Sequence, residues 1–335
     1  MKALLSKEIG GPDTLVLEDV PAPECKPGWA VVDVKAVGVN FPDTLIIEDK
    51  YQFKPARPFA PGAEIAGVVR AVGDGVTHIK PGDRVLGNAG WGGMAEQVAL
   101  SEDRLTKIPV AMPYEDAAAF AMTYGTSWHA LTGRANLKPG QTLLVLGASG
   151  GVGLAAVELG KAIGARVIAA CSTQEKLKLC MDRGADDGVV YPSGPLDNAA
   201  QKTLVETFKH VCGADGADVV YDAVGGDYAE PALRSIAWEG RYLVVGFAAG
   251  GIPKIPLNLA LLKGCEIVGV FWGSWAMRNP ERNRQSIEEL LAMYEAGQVR
   301  PFISRCFPLE EGAAAIAHLA SRNAVGKVVV TIGGR

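Results

Sequence analysis

The residues best suited to chemistry in this chain begin with the glycine cluster that ends Leu143–Gly153, LLVLGASGGVG. An apolar run that turns directly into glycines opening a helix builds a phosphate cradle. Gly150 and Gly151 carry no Cβ, so backbone can approach a pyrophosphate, and Gly153 permits close helix-to-strand packing. The free N–H groups of the helix N-terminus attract the negative charge. Written AxGxxG from Ala148 to Gly153, the motif is a variant of the dinucleotide fingerprint and nominates Ser149, Gly150, Gly151 and Val152 as cofactor contacts. A glycine-rich turn also arises from packing needs alone, so its neighbours have to decide.

The second chemical signal lies where an NAD site places an acidic residue to hold the ribose hydroxyls. Here the chain reads Cys171, Ser172, Thr173, Gln174, Glu175, Lys176, with no carboxylate at the strand end. A small hydroxyl pair followed by a lysine leaves room for a 2′-phosphate and supplies hydrogen bonds and positive charge, so NADPH is favoured. The alternative is that Ser172 and Glu175 form a capping box, S-x-x-E, for the next helix. Both can hold at once, because a capped helix start is also an anion site.

Positioning these residues requires alternating strands and helices. Leu143–Leu146 reads as a buried strand and Leu154–Ile163 as an amphipathic helix. They are followed by a strand Arg166–Cys171, a helix near Gln174–Arg183 and a strand Gly188–Tyr191. A helix near Thr203–Cys212, a strand Ala217–Val224, a helix near Tyr228–Ile236 and a strand Arg241–Phe247 continue the alternation, which predicts a doubly wound parallel sheet. Residues 1–121 differ: Val31–Val37, Ile65–Val72 and Ala95–Leu100 are short β-type runs punctuated by Gly and Pro. A helix is expected to begin near Ser127. After Phe271, a charged helix near Pro280–Ala296, another near Leu309–Ser321 and a strand Lys327–Ile332 predict a return to the first domain.

With 335 residues the chain is long enough for about two domains. A net charge of −4 and the lack of a basic stripe exclude a nucleic-acid partner. The start MKALLSKEIGG has too short an apolar run for a secretory leader, and no apolar span of membrane length follows, so a cytoplasmic protein is expected. The six cysteines, Cys25, Cys171, Cys180, Cys212, Cys265 and Cys306, show no CxxC pair and predict free thiols.

Several motifs in order resemble the medium-chain dehydrogenase/reductases, and within them the zinc-free NADPH:quinone oxidoreductase-like branch. The carriers are GVNFPDTL (Gly38–Leu45), PFAPGAEIAGVV (Pro58–Val69), IKPGDRV (Ile79–Val85), GASGGVG (Gly147–Gly153) and SRNAVGKVVV (Ser321–Val330). The resemblance spans essentially the whole chain. It implies a GroES-like β-domain, a Rossmann domain and an active-site cleft between them. The corresponding expectation is residues 1–121 for the first part of the catalytic domain, 122–272 for the Rossmann NADPH-binding domain and 273–335 for the return.

Zinc-dependent relatives carry a cysteine in the first motif and a histidine just before the glutamate of the second. Asn40 and Ala63 stand in those places, with Glu64 retained. Amide and methyl groups do not assemble a tetrahedral N/S site, and none of His78, His129, His210 and His318 has a metal-ligand partner at suitable spacing, so no metal is expected. Without a Lewis acid, reduction of an isolated ketone is hard, whereas hydride added to a quinone or α,β-unsaturated carbonyl leaves a delocalised anion. Orientation of the acceptor then becomes the protein's main contribution.

The resemblance further implies that Asn40, Lys176, Tyr191 and Arg322 lie near the cofactor, the last three as 2′-phosphate candidates. Arg322 suits phosphate through its planar fork. Phe247, and Phe271 with Trp272 in VFWG, belong to segments that pass the nicotinamide. Tyr51, Asn40 and Thr126 are the catalytic candidates, Tyr51 as hydrogen-bond donor to the acceptor oxygen or as a packing tyrosine. Leu45 replaces a tyrosine of some quinone reductases and makes the site more apolar. Two alternatives stay open: an enoyl-thioester reductase, with Arg278, Arg282 and Arg284 meeting a CoA phosphate or forming a solvated face, and a non-catalytic NADPH-binding protein. The apolar run Cys265–Trp275 reads as an edge strand, and the resemblance implies that two copies pair it in a homodimer.

Overall fold

The computed structural model describes residues 1–321 and 324–333. The chain divides into two compact units, Met1–Met122 with Asn279–Arg335, and Thr123–Arg278.

The first unit is built on a seven-stranded sheet in the spatial order Ile303–Pro308, Lys327–Thr331, Trp29–Val39, Glu64–Val72, Arg84–Asn88 and Leu105–Lys107, with Gln97–Ser101 pairing Trp29–Val39. The inward side chains Val32, Val34, Ile65, Val69, Val85, Val328 and Val330 form its core. β-branched residues suit this pleated, half-covered surface. Register decides what happens at one end of the sheet. Val328 lies opposite Val39 and Gly38 opposite Glu64, so Lys327, Asn40 and Glu64 arrive side by side from three strand ends. Gly38 is required there, because a Cβ would sit 1.9 Å from the Ala118 carbonyl oxygen and 2.7 Å from the Glu64 carboxylate.

The second unit is a six-stranded parallel sheet in the order Asp187–Val190, Arg166–Cys171, Thr142–Leu146, Ala217–Asp222, Ile236–Val244, Glu266–Gly269. In chain order this is 3-2-1-4-5-6, the doubly wound arrangement whose ligands bind at the carboxyl ends of the central strands. Leu143 to Leu146 are fully buried, as strands covered on both faces require. The helix Gly151–Ile163 ends at Gly164 in the left-handed conformation. It also carries a buried carboxylate, Glu158, which accepts from the Tyr124 hydroxyl at 2.6 Å and from Arg183 at 2.8 Å.

Five elements differ from the sequence expectations, one of them the helix expected near Thr203, which starts at Asn198 on the Asp197 cap. The strand expected at Arg241 begins at Ile236, because Glu239 (φ 59°) and Gly240 bulge it without ending it. The preceding helix is correspondingly short, Ala229–Arg234. The helix expected to begin near Ser127 starts at Ala121. The apolar run Cys265–Trp275 is not one strand: Glu266–Gly269 is extended, and a helix Trp272–Arg278 follows. Its buried Trp272 packs on Gly125, where a Cβ would stand 2.9 Å from the indole. No helix among the described residues is long and apolar enough to cross a membrane.

Candidate functional site

The glycine loop of the second unit turns at Gly147, whose φ of 67° is open to glycine at little cost. Gly150 caps the helix Gly151–Ile163 in an extended conformation, leaving the first-turn N–H groups of Gly151 and Val152 unused by side-chain caps. Gly153 holds helix and loop together: a Cβ would stand 2.2 Å from the Gly147 carbonyl oxygen. The sequence assigned the close packing correctly to Gly153 but overlooked that Gly147 bears the left-handed turn. The Ser127 hydroxyl bonds the Val152 carbonyl at 2.8 Å and the Tyr221 hydroxyl at 2.9 Å, fixing the helix that carries Thr126 against the loop.

The residues after the second strand gather around Cys171. Lys176 Nζ donates to Ser172 Oγ at 3.4 Å. The helix cap is Thr173, which accepts from Lys176 N–H at 3.3 Å, so a single cap one residue on replaces the capping box expected from Ser172. That replacement leaves the Ser172 hydroxyl for the Lys176 ammonium. Tyr191 is buried against Tyr228, with ring centroids 4.7 Å apart, and its N–H donates to the Cys171 carbonyl at 2.9 Å. Burial raises its phenol pKa, with the nearby Cys171 sulfur adding to the effect. Phe247 and Phe271 are exposed, and Phe247 lies over Gly225, while Trp272 is buried on Gly125. Arg322 lies outside the described residues.

In the first unit, Asn40, Glu64 and Lys327 form a closed cluster. Lys327 Nζ donates to Asn40 Oδ1 at 2.7 Å and to Glu64 Oε2 at 2.9 Å. The Asn40 amide donates to Glu64 Oε2 at 3.0 Å and to the Gly38 carbonyl at 3.1 Å, so both of its hydrogens are engaged. The second Glu64 oxygen accepts Met122 N–H at 2.8 Å. Glu64 is fully buried and Lys327 nearly so, and a buried pair is tolerable only when its remaining polar atoms are satisfied in this way. Asp43 Oδ2 accepts Asn40 N–H at 2.8 Å, and its Oδ1 accepts Gly62 N–H at 3.0 Å. Burial outweighs those two bonds and pushes the Asp43 carboxyl up to about 6.

Tyr51 is half-buried, and its phenol is pushed up by burial and by the Asp43 charge. Among the described residues its hydroxyl has no hydrogen-bond partner. A phenol in that condition has its donor free for an acceptor atom. The zinc-ligand places of metal-dependent relatives hold the Asn40 amide and the Ala63 methyl, with the Lys327 ammonium bonded to the amide. A fixed buried cation beside two non-thiolate, non-imidazole groups does not fit a tetrahedral zinc. Among the described residues no cluster of three His, Cys, Asp or Glu has metal-binding geometry. Sequence reading missed Asp43, Lys327 and Cys171. The available signals were N-x-x-D at Asn40–Asp43 and a lysine opening the apolar strand KVVVT.

Comparison with known proteins follows the same division. The alcohol dehydrogenase GroES-like domain model matches residues 26–110, and the zinc-binding dehydrogenase model matches residues 151–294. The chain is 40% identical over 333 residues to a quinone oxidoreductase-like protein 2 homolog of Nematostella vectensis, covering 98% of this chain and 88% of that one. It is 31% identical to the quinone oxidoreductase of Homo sapiens, covering 99% and 98% of the two chains. Among solved structures, the Escherichia coli quinone oxidoreductase complexed with NADPH matches with a TM-score of 0.89 at 28% identity, covering 99% and 100%. A mycobacterial protein complexed with NADPH matches with a TM-score of 0.91 at 30% identity over the same shares.

Proposed function

Since the chain belongs to the quinone oxidoreductase-like members of the medium-chain dehydrogenase/reductase family, we propose that it transfers hydride from NADPH to a quinone or another conjugated carbonyl or activated alkene, without a metal. The observation that carries the reading is the pairing of a glycine cradle with a strand end, Cys171–Thr173, that offers hydroxyls and no carboxylate and is followed by the Lys176 ammonium. Bound NADPH supplies the hydride. Ser149, Gly150, Gly151 and Val152 would line its pyrophosphate, with the first-turn N–H groups of Gly151 and Val152 as donors. Ser172, Lys176 and Tyr191 would hold the 2′-phosphate, and Thr126, Phe247, Phe271 and Trp272 would border the nicotinamide; for Asn40 and Arg322 the resemblance alone implies a place near the cofactor.

The metal-free reading is supported by the Lys327–Asn40–Glu64 cluster. A conjugated acceptor spreads the incoming charge over an enolate or hydroquinone anion, so one neutral donor suffices to stabilise it. Tyr51 is the group proposed to provide that donor, with solvent delivering the final proton. Asn40 acts through its fixed position, since its amide hydrogens are already committed.

Removing a charge-assisted phosphate contact costs about 1.5–3 kcal/mol. Lys176→Ala is therefore expected to raise the Michaelis constant for NADPH by about tenfold or more and to leave that for NADH nearly unchanged. Equal effects on both cofactors would mean that Lys176 acts through folding. Steady-state NADPH consumption across quinones, enones, nitroalkenes and enoyl-CoA thioesters selects among acceptors. A protein that binds NADPH and consumes none would instead be the non-catalytic binder.

The reading includes cytoplasmic action, in keeping with six cysteines that form no disulfide, and a homodimer. Ile267 on the edge strand Glu266–Gly269 and Phe271, Leu261 and Leu262 nearby are exposed, an apolar margin that open edges do not leave uncovered. Light scattering is expected to give twice the 35.1 kDa chain mass, and Ile267→Arg to give the monomer. A monomeric wild type at micromolar concentration would rule the dimer out.

A further inference from the structure

Two buried cysteines stand at the cofactor strand end and take no part in hydride transfer. Cys171 is the last residue of Arg166–Cys171, and Cys180 lies on the sheet-facing side of the helix Gln174–Asp182, with Leu177 one turn before it. Their Sγ atoms are 3.5 Å apart. The Cys171 sulfur is not in plain apolar packing. It meets the Cys180 sulfur, and Ser149 and the Lys176 ammonium are neighbours that favour its charged form. These contacts, the Cys180 bond foremost, hold the Cys171 thiol below its ordinary range against its burial. The same bond together with burial pushes Cys180 up. Cys171, next to the Ser172 hydroxyl that holds the Lys176 ammonium, takes the nucleophilic role and Cys180 the resolving one.

We propose that Cys171 and Cys180 form a reversible disulfide that weakens cofactor binding when the protein meets a hydroperoxide. The Cys171 thiolate attacks one peroxide oxygen, so an S–O bond forms, the O–O bond breaks and hydroxide leaves. The Cys180 sulfur then attacks that sulfenic sulfur, the S–S bond forms, the S–O bond breaks and water leaves. In sum, two thiols and one hydrogen peroxide give one disulfide and two waters. A dithiol reductant reverses the step.

Closing the bond requires the sulfurs to approach from 3.5 Å to about 2.05 Å, which draws the helix Gln174–Asp182 against the strand end. Ser172, the Thr173 cap and Lys176 lie between the two cysteines in sequence and move with that closure. Ser149, one of the groups that favour the charged form of Cys171, belongs to the glycine loop itself. A cross-link between these cysteines therefore deforms both the cradle and the group proposed to hold the 2′-phosphate.

The effect on cofactor affinity rests on the NADPH reading above, whereas the cross-link does not. The full chain is treated with hydrogen peroxide, alkylated, digested and mapped by mass spectrometry. The proposal expects a Cys171–Cys180 linked peptide lacking two hydrogens, formed more slowly when NADPH is already bound. Fluorescence titration is expected to show NADPH affinity about tenfold weaker after oxidation, restored by dithiothreitol, with Cys180→Ala resistant to this reversible loss. Oxidation confined to the exposed Cys25 and Cys306, or a Cys171–Cys180 link that leaves NADPH affinity unchanged, would overturn the proposal. A reduced protein that binds no NADPH would defeat the functional reading, while the cross-link would still stand or fall by mass alone.

Discussion

Lys327→Met is expected to destabilise the protein by about 3–5 kcal/mol, the cost of leaving a buried charge without its partner. Glu64 is fully buried, and its Oε2 would keep only the Asn40 amide as donor once the ammonium at 2.9 Å is gone. Methionine matches the lysine stem in length, so the loss reports on charge and not on a cavity. The double variant Lys327→Met with Glu64→Gln is expected to recover a large part of that loss, because it leaves no unpaired buried charge. Denaturant unfolding of the three proteins measures both effects. A single variant within about 1 kcal/mol of wild type would mean that the pair behaves like an exposed salt bridge.

Asp43 makes stability depend on pH in a direction unusual for a carboxylate. Its carboxyl titrates at about 6 when folded and at 3.8 as the reference value of the unfolded chain. Between those values the folded protein holds a proton that the unfolded chain has already released, so stability falls as pH rises and levels off above about 6. The shift of about two units corresponds to about 3 kcal/mol. Asp43→Asn removes this titration while other carboxylates titrate alike in both proteins. The stability of wild type relative to Asp43→Asn is therefore expected to decline by about 2–2.5 kcal/mol between pH 4 and pH 7. A difference that stays flat over that interval would show that the two backbone donors from Asn40 and Gly62 overcome the burial.

The nucleotide unit was legible in the sequence because each of its signals is local. Leu143–Leu146 is an uninterrupted apolar run and Val219–Tyr221 a shorter one, and a glycine turn or helix cap bounds each next element. Legibility failed where one local pattern fits two structures. Cys265–Trp275 is apolar apart from Glu266 and Ser274, and such a run has no period to separate strand from helix. Ser172 and Thr173 are adjacent hydroxyl residues, either of which can cap, and the backbone chose the second. The first-unit cluster was out of reach for a different reason. Lys327 meets Asn40 only because Val328 pairs with Val39 in a sheet joining the two ends of the chain, and that register is tertiary information. Asn40 was identified from its motif, yet the saturation of its amide appears only once Lys327 and Glu64 are in place.

The central claim is direct hydride transfer from NADPH to a conjugated acceptor, and stereospecifically deuterated NADPH tests it most directly. With an α,β-unsaturated ketone, deuterium is expected on the β-carbon of the product in proportion to the cofactor oxidised. Tyr51→Phe is expected to slow that transfer by less than about a hundredfold, because solvent still supplies the final proton. Deuterium appearing in water in place of product, or bound NADPH that no acceptor oxidises, would contradict the account.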